Sequence, residues 1–362
     1  MKFLLYISFF LFSFGQLLRV SLFEKQVNFY LYEISLALFS LVFYITNIEK
    51  IKLIGKKICQ QFKPVLFFLF VLLISLFIEI RQFNKFQNLI GFFYFLRLIL
   101  YFSYFFSLYF WLKNKNNLAV IKNSLKIFVY LTVISTLIQY FLYPNLRNLM
   151  YLGWDPHWQR TFGVFFDTVI AGSIYGLVFF LNNNLFIKLI YLLFLIFSYS
   201  RNIYLGFFLA IFYLLFFNKK YFLILSQILI FVFILIFIPR PLGEGGKLLR
   251  VYTIKARLDD YKKAINFFSK KPVFGYGYNR IRYIKNEFYS NAGAGFSSSY
   301  LTILIAAGLL GLIGYLNLLY FFWKKFKKSR IILLFLIFVS LFDNVFFHPF
   351  ILFLFFTSLF DR

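Results

Sequence analysis

The fold is decided by residues 185–217, which read LFIKLIYLLFLIFSYSRNIYLGFFLAIFYLLFF. Two apolar blocks flank a short polar group, SYSRN, at residues 198–202. A helix of about 15 residues is roughly 22 Å long, whereas a bilayer core measures about 30 Å. We therefore predict two short membrane helices with a recessed tip, and we expect Arg201 to face a cavity that holds water or an anion. The alternative is that Arg201 extends to the lipid headgroups.

The same apolar pattern extends along the whole chain of 362 residues, of which 62% are hydrophobic, 25% aromatic and only 14% charged. Because the blocks are solidly apolar and do not alternate in polarity, they predict an all-α, polytopic helical membrane protein. Twelve spans are expected, near residues 3–19, 27–47, 64–80, 88–112, 124–143, 164–181, 185–199, 203–217, 221–238, 298–322, 330–342 and 347–360. Residues 1–238 then form spans one to nine, residues 239–297 a large loop, and residues 298–362 the last three spans.

Charge and composition limit the classes of molecule that this protein is expected to bind. A net charge of +27 favours anionic partners, either phospholipid headgroups or a phosphorylated lipid substrate. The basic residues are scattered over short loops, which disfavours nucleic acid. One Cys and two His disfavour a disulfide framework and a zinc site, so neither a metal nor another cofactor is expected.

The lysine-rich turns predict the orientation. They lie at residues 50–57, 113–126, 219–220 and 324–330. With twelve spans and a cytoplasmic N-terminus, all four turns fall on the cytoplasmic side, as the positive-inside rule requires. Both termini are then cytoplasmic, and the loop 239–297 is extracytoplasmic.

Ionisable residues inside the predicted spans share one depth. Those in the outer third or at the outer edge are Glu33, Arg97, Arg160, Asp167, Arg201, Asp343 and His348. Such residues are costly in a membrane and often mark sites or pathways. Taken singly, each has a structural explanation; Glu33 and Arg97 are expected to form a structural ion pair as readily as to serve a site. Their shared depth predicts a polar outer half beneath the long loop.

The long loop has its own pattern. Residues 257–268 have helical periodicity, with Arg257 on the apolar arc, where it either covers packing with its stem or points into a site. Asp259-Asp260 is interpreted as the solvated face of this helix and not as a metal-binding pair. Pro272 ends the helix, and Gly275-Tyr276-Gly277-Tyr278 predicts a tight turn.

Four segments, in this order, resemble the O-antigen polymerase and ligase superfamily, bacterial membrane glycosyltransferases that act on polyprenyl-pyrophosphate-linked glycans. They are RTFGVFFD (160–167), SYSRNIYLGFFLA (198–210), RLDDYKKAINFFSKKPVFGYGYNR (257–280) and SSSYLTILIAAGLLGLIGYL (297–316). The resemblance implies an enzyme of the bacterial inner membrane that releases undecaprenyl pyrophosphate without a metal. It also implies pathway partners, a flippase and a chain-length regulator.

The same resemblance implies a set of site residues. Arg201 and Arg257 would be the catalytic pair that holds the pyrophosphate, since guanidinium groups bind phosphate bidentately and stabilise a leaving group's charge. Further pyrophosphate- or substrate-binding residues would be Arg160, Arg97, Arg280, Tyr278 and Ser297.

One departure from the family pattern favours a polymerase. Ligases of this superfamily commonly carry a His-Asn pair where this chain has Ser297-Ser298, and a serine hydroxyl is a poor base. The general base stays unassigned, with candidates Asp155, His157, Asp260 and Glu287. A ligase that transfers glycan to lipid A-core or to protein is the alternative. A flippase or other transporter is a more distant one, because internal repeats are not seen.

Overall fold

The computed structural model describes residues 1–217, 221–237, 251–288 and 292–360. Two predicted features lie outside these residues: the lysine pair at 219–220, and the first part of the long loop, 239–250, together with its residues 289–291. Within the described part of the chain the only strands are β1 (Arg19–Leu22) and β2 (Val27–Tyr30), which form one antiparallel hairpin. All other regular structure there is helical.

The described residues form fifteen α-helices, twelve of which follow the predicted apolar blocks. They are α1 (Lys2–Phe12), α2 (Leu31–Thr46), α3 (Ile51–Gln61), α4 (Lys63–Ile78), α5 (Lys85–Trp111), α6 (Leu118–Leu142), α7 (Thr168–Leu181), α8 (Leu185–Phe197), α9 (Arg201–Phe217), α10 (Tyr221–Phe237), α11 (Val251–Lys270), α12 (Ile281–Ile284), α13 (Ser299–Lys325), α14 (Arg330–Phe342) and α15 (Pro349–Ser358). Every predicted span contains one of these helices. The first two spans are shorter than predicted: α1 is followed by a 3-10 turn (Gly15–Leu18), and β2 occupies the first four residues of the second span.

Length separates these helices into two groups. Among the described residues, α5, α6 and α13 are long and apolar enough to cross a membrane alone, and α2 with α3 would make a fourth span despite the 77° bend between them. Most of the other apolar helices have 10–17 residues. The figure of twelve spans therefore stays a prediction.

The helices place three of the lysine-rich turns, those at residues 50–57, 113–126 and 324–330, at one end of the bundle. The Lys325 Nζ lies 3.6 Å from the centroid of the Phe62 ring and 4.9 Å from that of Tyr109. The end of α13 therefore meets the start of α4 and the end of α5. We call this the basic end. The tip between α8 and α9 lies at the opposite end, with the segment between α14 and α15.

Helix α13 is broken where the predicted Gly-Tyr turn packs against it. At Gly308 the backbone has φ 67° and ψ −163°, a conformation that is essentially restricted to glycine. The carbonyl oxygens of Ile305 and Ala306, freed by the break, accept hydrogen bonds from the N–H groups of Tyr276 (3.0 Å) and Gly277 (2.8 Å). The turn is confirmed, with positive φ at both of its glycines, and it replaces hydrogen bonds that the helix lacks.

Candidate active site

A cavity of about 860 Å³ lies at the end of the bundle opposite the basic end. Its walls come from the β-hairpin, the middle of α5, the loop before α7, helix α11, the segment around α12, the start of α13 and the segment between α14 and α15. Four of the seven predicted site residues line it: Arg97, Arg257, Tyr278 and Ser297. The structure thus brings residues distant in sequence to one polar cavity.

Arg257 is held at the cavity by residues of two other helices. Its Nη1 donates to Asn202 Oδ1 at 3.0 Å, and its Nη2 lies 3.2 Å and 3.3 Å from the two carboxylate oxygens of Asp343. Asn202 Nδ2 in turn donates to the same carboxylate. The sequence left two orientations of Arg257 open, and the structure selects the one in which the guanidinium points into the cavity.

Arg201 begins α9 directly after the buried tip of the α8–α9 hairpin. Its Nη2 donates to the Thr253 hydroxyl of α11 at 2.5 Å, and it lies near enough to Arg257 for the two positive charges to repel. Arg201 is not among the residues that line the cavity, whereas its neighbour Arg257 is. The two arginines of the predicted catalytic pair are therefore neighbours.

Arg160 lies behind the cavity wall. Its side chain is buried, and its Nε donates to the carbonyl oxygen of Ser198 at 2.7 Å. The next residue, Thr161, donates its hydroxyl to the Phe194 carbonyl at 2.6 Å. Both contacts fix the tip of the α8–α9 hairpin. Arg160 thus supports the tip that carries Arg201 and does not line the cavity; its binding of substrate stays a prediction.

Arg280 is also displaced from the cavity. Its side chain is fully buried, its Nη1 donates to the Leu76 carbonyl at 3.0 Å, and its guanidinium lies 5.0 Å from the centre of the Phe83 ring. Burial lowers the pKa of Arg280 to about 10, so the group stays charged at neutral pH. Arg280 ties the Gly-Tyr turn to α4, and its role in substrate binding stays a prediction.

Glu33 and Arg97 form the predicted ion pair, with Arg97 Nε 2.6 Å from Glu33 Oε1. The Tyr101 hydroxyl donates to the same carboxylate oxygen at 2.6 Å. Both charged side chains are at least nine-tenths buried. The sequence also left open a role for this pair in a site. Arg97 lines the cavity, so the pair is both a structural ion pair and part of the cavity wall.

Asp260 differs from its expected position on a solvated face. Lys285 Nζ lies 3.0 Å from its carboxylate, and the backbone N–H of Ser297 donates to it at 2.6 Å. Its neighbour Asp259 is exposed, as expected. Asp260 therefore connects α11 to the start of α13. Ser297 makes this contact with its backbone N–H and not with its side chain. All four candidate bases line the cavity: Asp155, His157, Asp260 and Glu287.

Asp343 is the residue of the cavity whose role the sequence did not assign. Burial raises the pKa of its carboxyl to about 6, while the nearby Arg257 guanidinium acts in the opposite direction. The available signal was the polar group Asp343-Asn344 between two short apolar blocks, the same kind of interruption that identified Arg201. Among the described residues, no group of three or more His, Cys, Asp or Glu side chains is placed to hold a metal ion.

The fold and the cavity define a class: a helical membrane protein with an arginine-lined polar site at one end. Residues 186–316 match a family model described as O-antigen ligase. This match agrees with the resemblance to the O-antigen polymerase and ligase superfamily, and it supports a membrane enzyme of glycan transfer. No match among curated proteins was significant.

Proposed function

We propose that this protein is a polysaccharide polymerase, which transfers a growing glycan from undecaprenyl pyrophosphate to a sugar hydroxyl of another lipid-linked repeat unit. The observation that carries the proposal is the pairing of Arg201 and Arg257 beside a polar cavity, in a chain with a glycan-transferase family match. Two adjacent guanidinium groups carry two positive charges, and the single Asp343 carboxylate beside Arg257 balances only part of them. A pyrophosphate, which carries more negative charge, fits such a pair.

The chemistry follows from this placement. The acceptor hydroxyl attacks the anomeric carbon, the bond from that carbon to the pyrophosphate oxygen breaks, and the hydroxyl proton passes to a base in the cavity. Negative charge grows on the leaving oxygen, where guanidinium groups stabilise it. Because Asp343 already occupies the Nη2 of Arg257, the arriving pyrophosphate displaces this carboxylate and takes over its hydrogen bonds.

We propose that the cavity opens on the outer face of the inner membrane. The basic end carries three lysine-rich turns, and the positive-inside rule assigns such an end to the cytoplasm. Both chain termini would then be cytoplasmic, and the loop of residues 239–297 extracytoplasmic. A flippase would deliver the substrate to this side, and a chain-length regulator would act there on the product.

A ligase is the second candidate, because the matching family model is itself described as O-antigen ligase. The polymerase is preferred on Ser297-Ser298, where ligases of the superfamily commonly have His-Asn. The Ser298 hydroxyl donates to the Ser340 carbonyl at 3.2 Å, so we assign Ser298 a structural contact and no chemical role.

Deletion of the gene in its host, followed by electrophoresis of the surface glycan, tests the proposal. Loss of a polymerase leaves lipid A-core capped with a single repeat unit, whereas loss of a ligase leaves finished polymer on the carrier lipid. Loss of a flippase traps single units on the cytoplasmic side. Complementation with Arg257→Ala should fail, and Lys262→Ala, an exposed cation of the same helix, should restore long chains. Full-length polymer with Arg257→Ala would refute the assigned site.

A further inference from the structure

A second cluster of cations lies in the cavity, on elements other than those that carry Arg201 and Arg257. Arg97 of α5 and Arg282 of α12 both approach the ring of Tyr94, each with its guanidinium carbon 5.8 Å from the ring centroid. All three side chains line the cavity. We call Tyr94, Arg97 and Arg282 the Tyr94 cluster.

The Tyr94 cluster is held in a fixed geometry by the β-hairpin and by α2. The Tyr94 hydroxyl and the Nη1 of Arg282 both donate to the carbonyl oxygen of Gln26, at 2.9 Å and 3.1 Å. Arg97 is fixed through its Nε by Glu33, at 2.6 Å. Each guanidinium therefore has one anchored side, and the rest of each group is left for another partner. Such pre-organisation lowers the entropy lost on binding.

Several donors and acceptors of this part of the cavity have no partner within the described protein. They include Nη2 of Arg97, Nε of Arg282 and Oε1 of Gln16, on side chains that are all nine-tenths or more buried. Within the described residues, Arg282 also has no carboxylate within 4.0 Å. A buried guanidinium without a counter-ion costs several kcal/mol, about the same as a buried ion left after its partner is removed. These groups therefore favour an anionic ligand.

We infer that the Tyr94 cluster is a subsite for the carboxylate of an acidic sugar in the glycan. A carboxylate matches the planar fork of a guanidinium and accepts two hydrogen bonds from it. The sugar hydroxyls supply the donor that Gln16 Oε1 requires, which a simple phosphate dianion does not. Two further cations of the hairpin, Arg19 and Lys25, line the same cavity and add positive potential at this side.

The inference rests on the proposed function, because it names the acceptor or growing-chain side of the same cavity. The pyrophosphate would bind at Arg201 and Arg257, and the acidic sugar at the Tyr94 cluster. The two anions then occupy separate cation sites, so that neither competes with the other. A repeat unit without an acidic sugar would leave the Tyr94 cluster unneutralised and would bind more weakly.

The inference is tested by titrating a trisaccharide into the purified full-length protein in detergent and measuring binding by saturation-transfer NMR. The probes are trigalacturonate, which carries carboxylates, and maltotriose, which carries none. We expect trigalacturonate to bind at least about tenfold more tightly than maltotriose, equivalent to about 1.4 kcal/mol. Arg282→Gln should abolish that preference, Arg282→Lys should retain part of it, and Arg81→Gln, an exposed arginine that does not line the cavity, should leave it unchanged.

Equal binding of the two trisaccharides, or an undiminished preference in Arg282→Gln, would overturn the inference. A second experiment adds inorganic pyrophosphate as a competitor of trigalacturonate. If it displaces trigalacturonate from the wild type, the Tyr94 cluster is a phosphate site and the inference is wrong. Arg257→Ala should still bind trigalacturonate. Failure of the proposed polymerase in the deletion experiment is therefore a separate result from failure of this subsite.

Discussion

Replacing Asp343 by Asn should tighten the binding of inorganic pyrophosphate at neutral pH. The Asp343 carboxylate lies 3.2 Å from Arg257 Nη2 and must leave when an anion arrives. The two side chains are 28% and 21% exposed, so water screens the pair, and we take its strength as about 1 kcal/mol. An asparagine keeps the hydrogen-bonding oxygen but not the charge. The expected gain in affinity is therefore roughly fivefold.

The effect should disappear at low pH, since burial raises the pKa of the Asp343 carboxyl to about 6. Above this pH the carboxylate is charged and competes with the ligand. Below it the carboxyl is neutral, and the wild type behaves like the variant. The ratio of the two dissociation constants should fall from roughly five at pH 7.5 to about one at pH 5. Because both proteins meet the same ligand, protonation of pyrophosphate itself cancels in this ratio.

Isothermal titration calorimetry of the full chain in detergent measures both constants. Asn202→Ala is a useful companion variant, because it removes the neutral partner of Arg257 and leaves the charge of Asp343 in place. Its affinity should still depend on pH, with the midpoint moved upward because Asn202 no longer donates to the Asp343 carboxylate. Equal affinities of wild type and Asp343→Asn at pH 7.5, or a ratio that does not change with pH, would refute the displacement of this carboxylate by the ligand.

Three further predictions concern the stability of the fold and the role of the Ser297 hydroxyl. Gly308→Ala should lower the free energy of unfolding by about 3 kcal/mol or more, because Gly308 has φ 67° and the added Cβ would lie 2.1 Å from a backbone oxygen. Gly55→Ala should not lower it, because nothing lies near this helical glycine. Thermal unfolding in detergent compares the two variants. Glu33→Gln should cost about 3–5 kcal/mol by the same measurement, since it leaves the buried Arg97 without its counter-ion; an unchanged melting temperature would contradict this. Ser297→Ala should keep long glycan chains on electrophoresis, because the contact of Ser297 with Asp260 comes from its backbone N–H; single-unit glycan would instead assign chemistry to the hydroxyl.

The positions of the helices could be predicted because lipid leaves the backbone few options. A chain in hydrocarbon must satisfy its own N–H and C=O groups, so each solidly apolar block becomes a helix. Breaks were harder to predict. Gly308 sits in the apolar run 301–313, and its neighbours read as continuous helix. The break exists because the turn at residues 275–277 supplies the missing hydrogen bonds, which is a tertiary effect.

The sequence predicted which residue types form the candidate site and at which depth they lie, but not which way their side chains point. Arg97 and Arg280 looked alike in the sequence, yet only Arg97 lines the cavity. Arg280 turns away because Gly91 and Gly277 leave room for it: a Cβ at either position would lie 3.3 Å or less from its side chain. Which way a long side chain points is thus decided by the small residues beside it. Asp343 was missed as a partner of Arg257 for a related reason, since 86 residues separate them.

The contacts of Arg257 tie the chemistry of the cavity to the position of α11. This helix belongs to the loop, yet its polar contacts run to the membrane helices: Arg257 to Asn202 and Asp343, and Thr253 to Arg201. A pyrophosphate that takes Asp343's place therefore removes a contact that holds α11 against α14. Binding of the anion and docking of α11 are then energetically coupled, and the coupling is reciprocal.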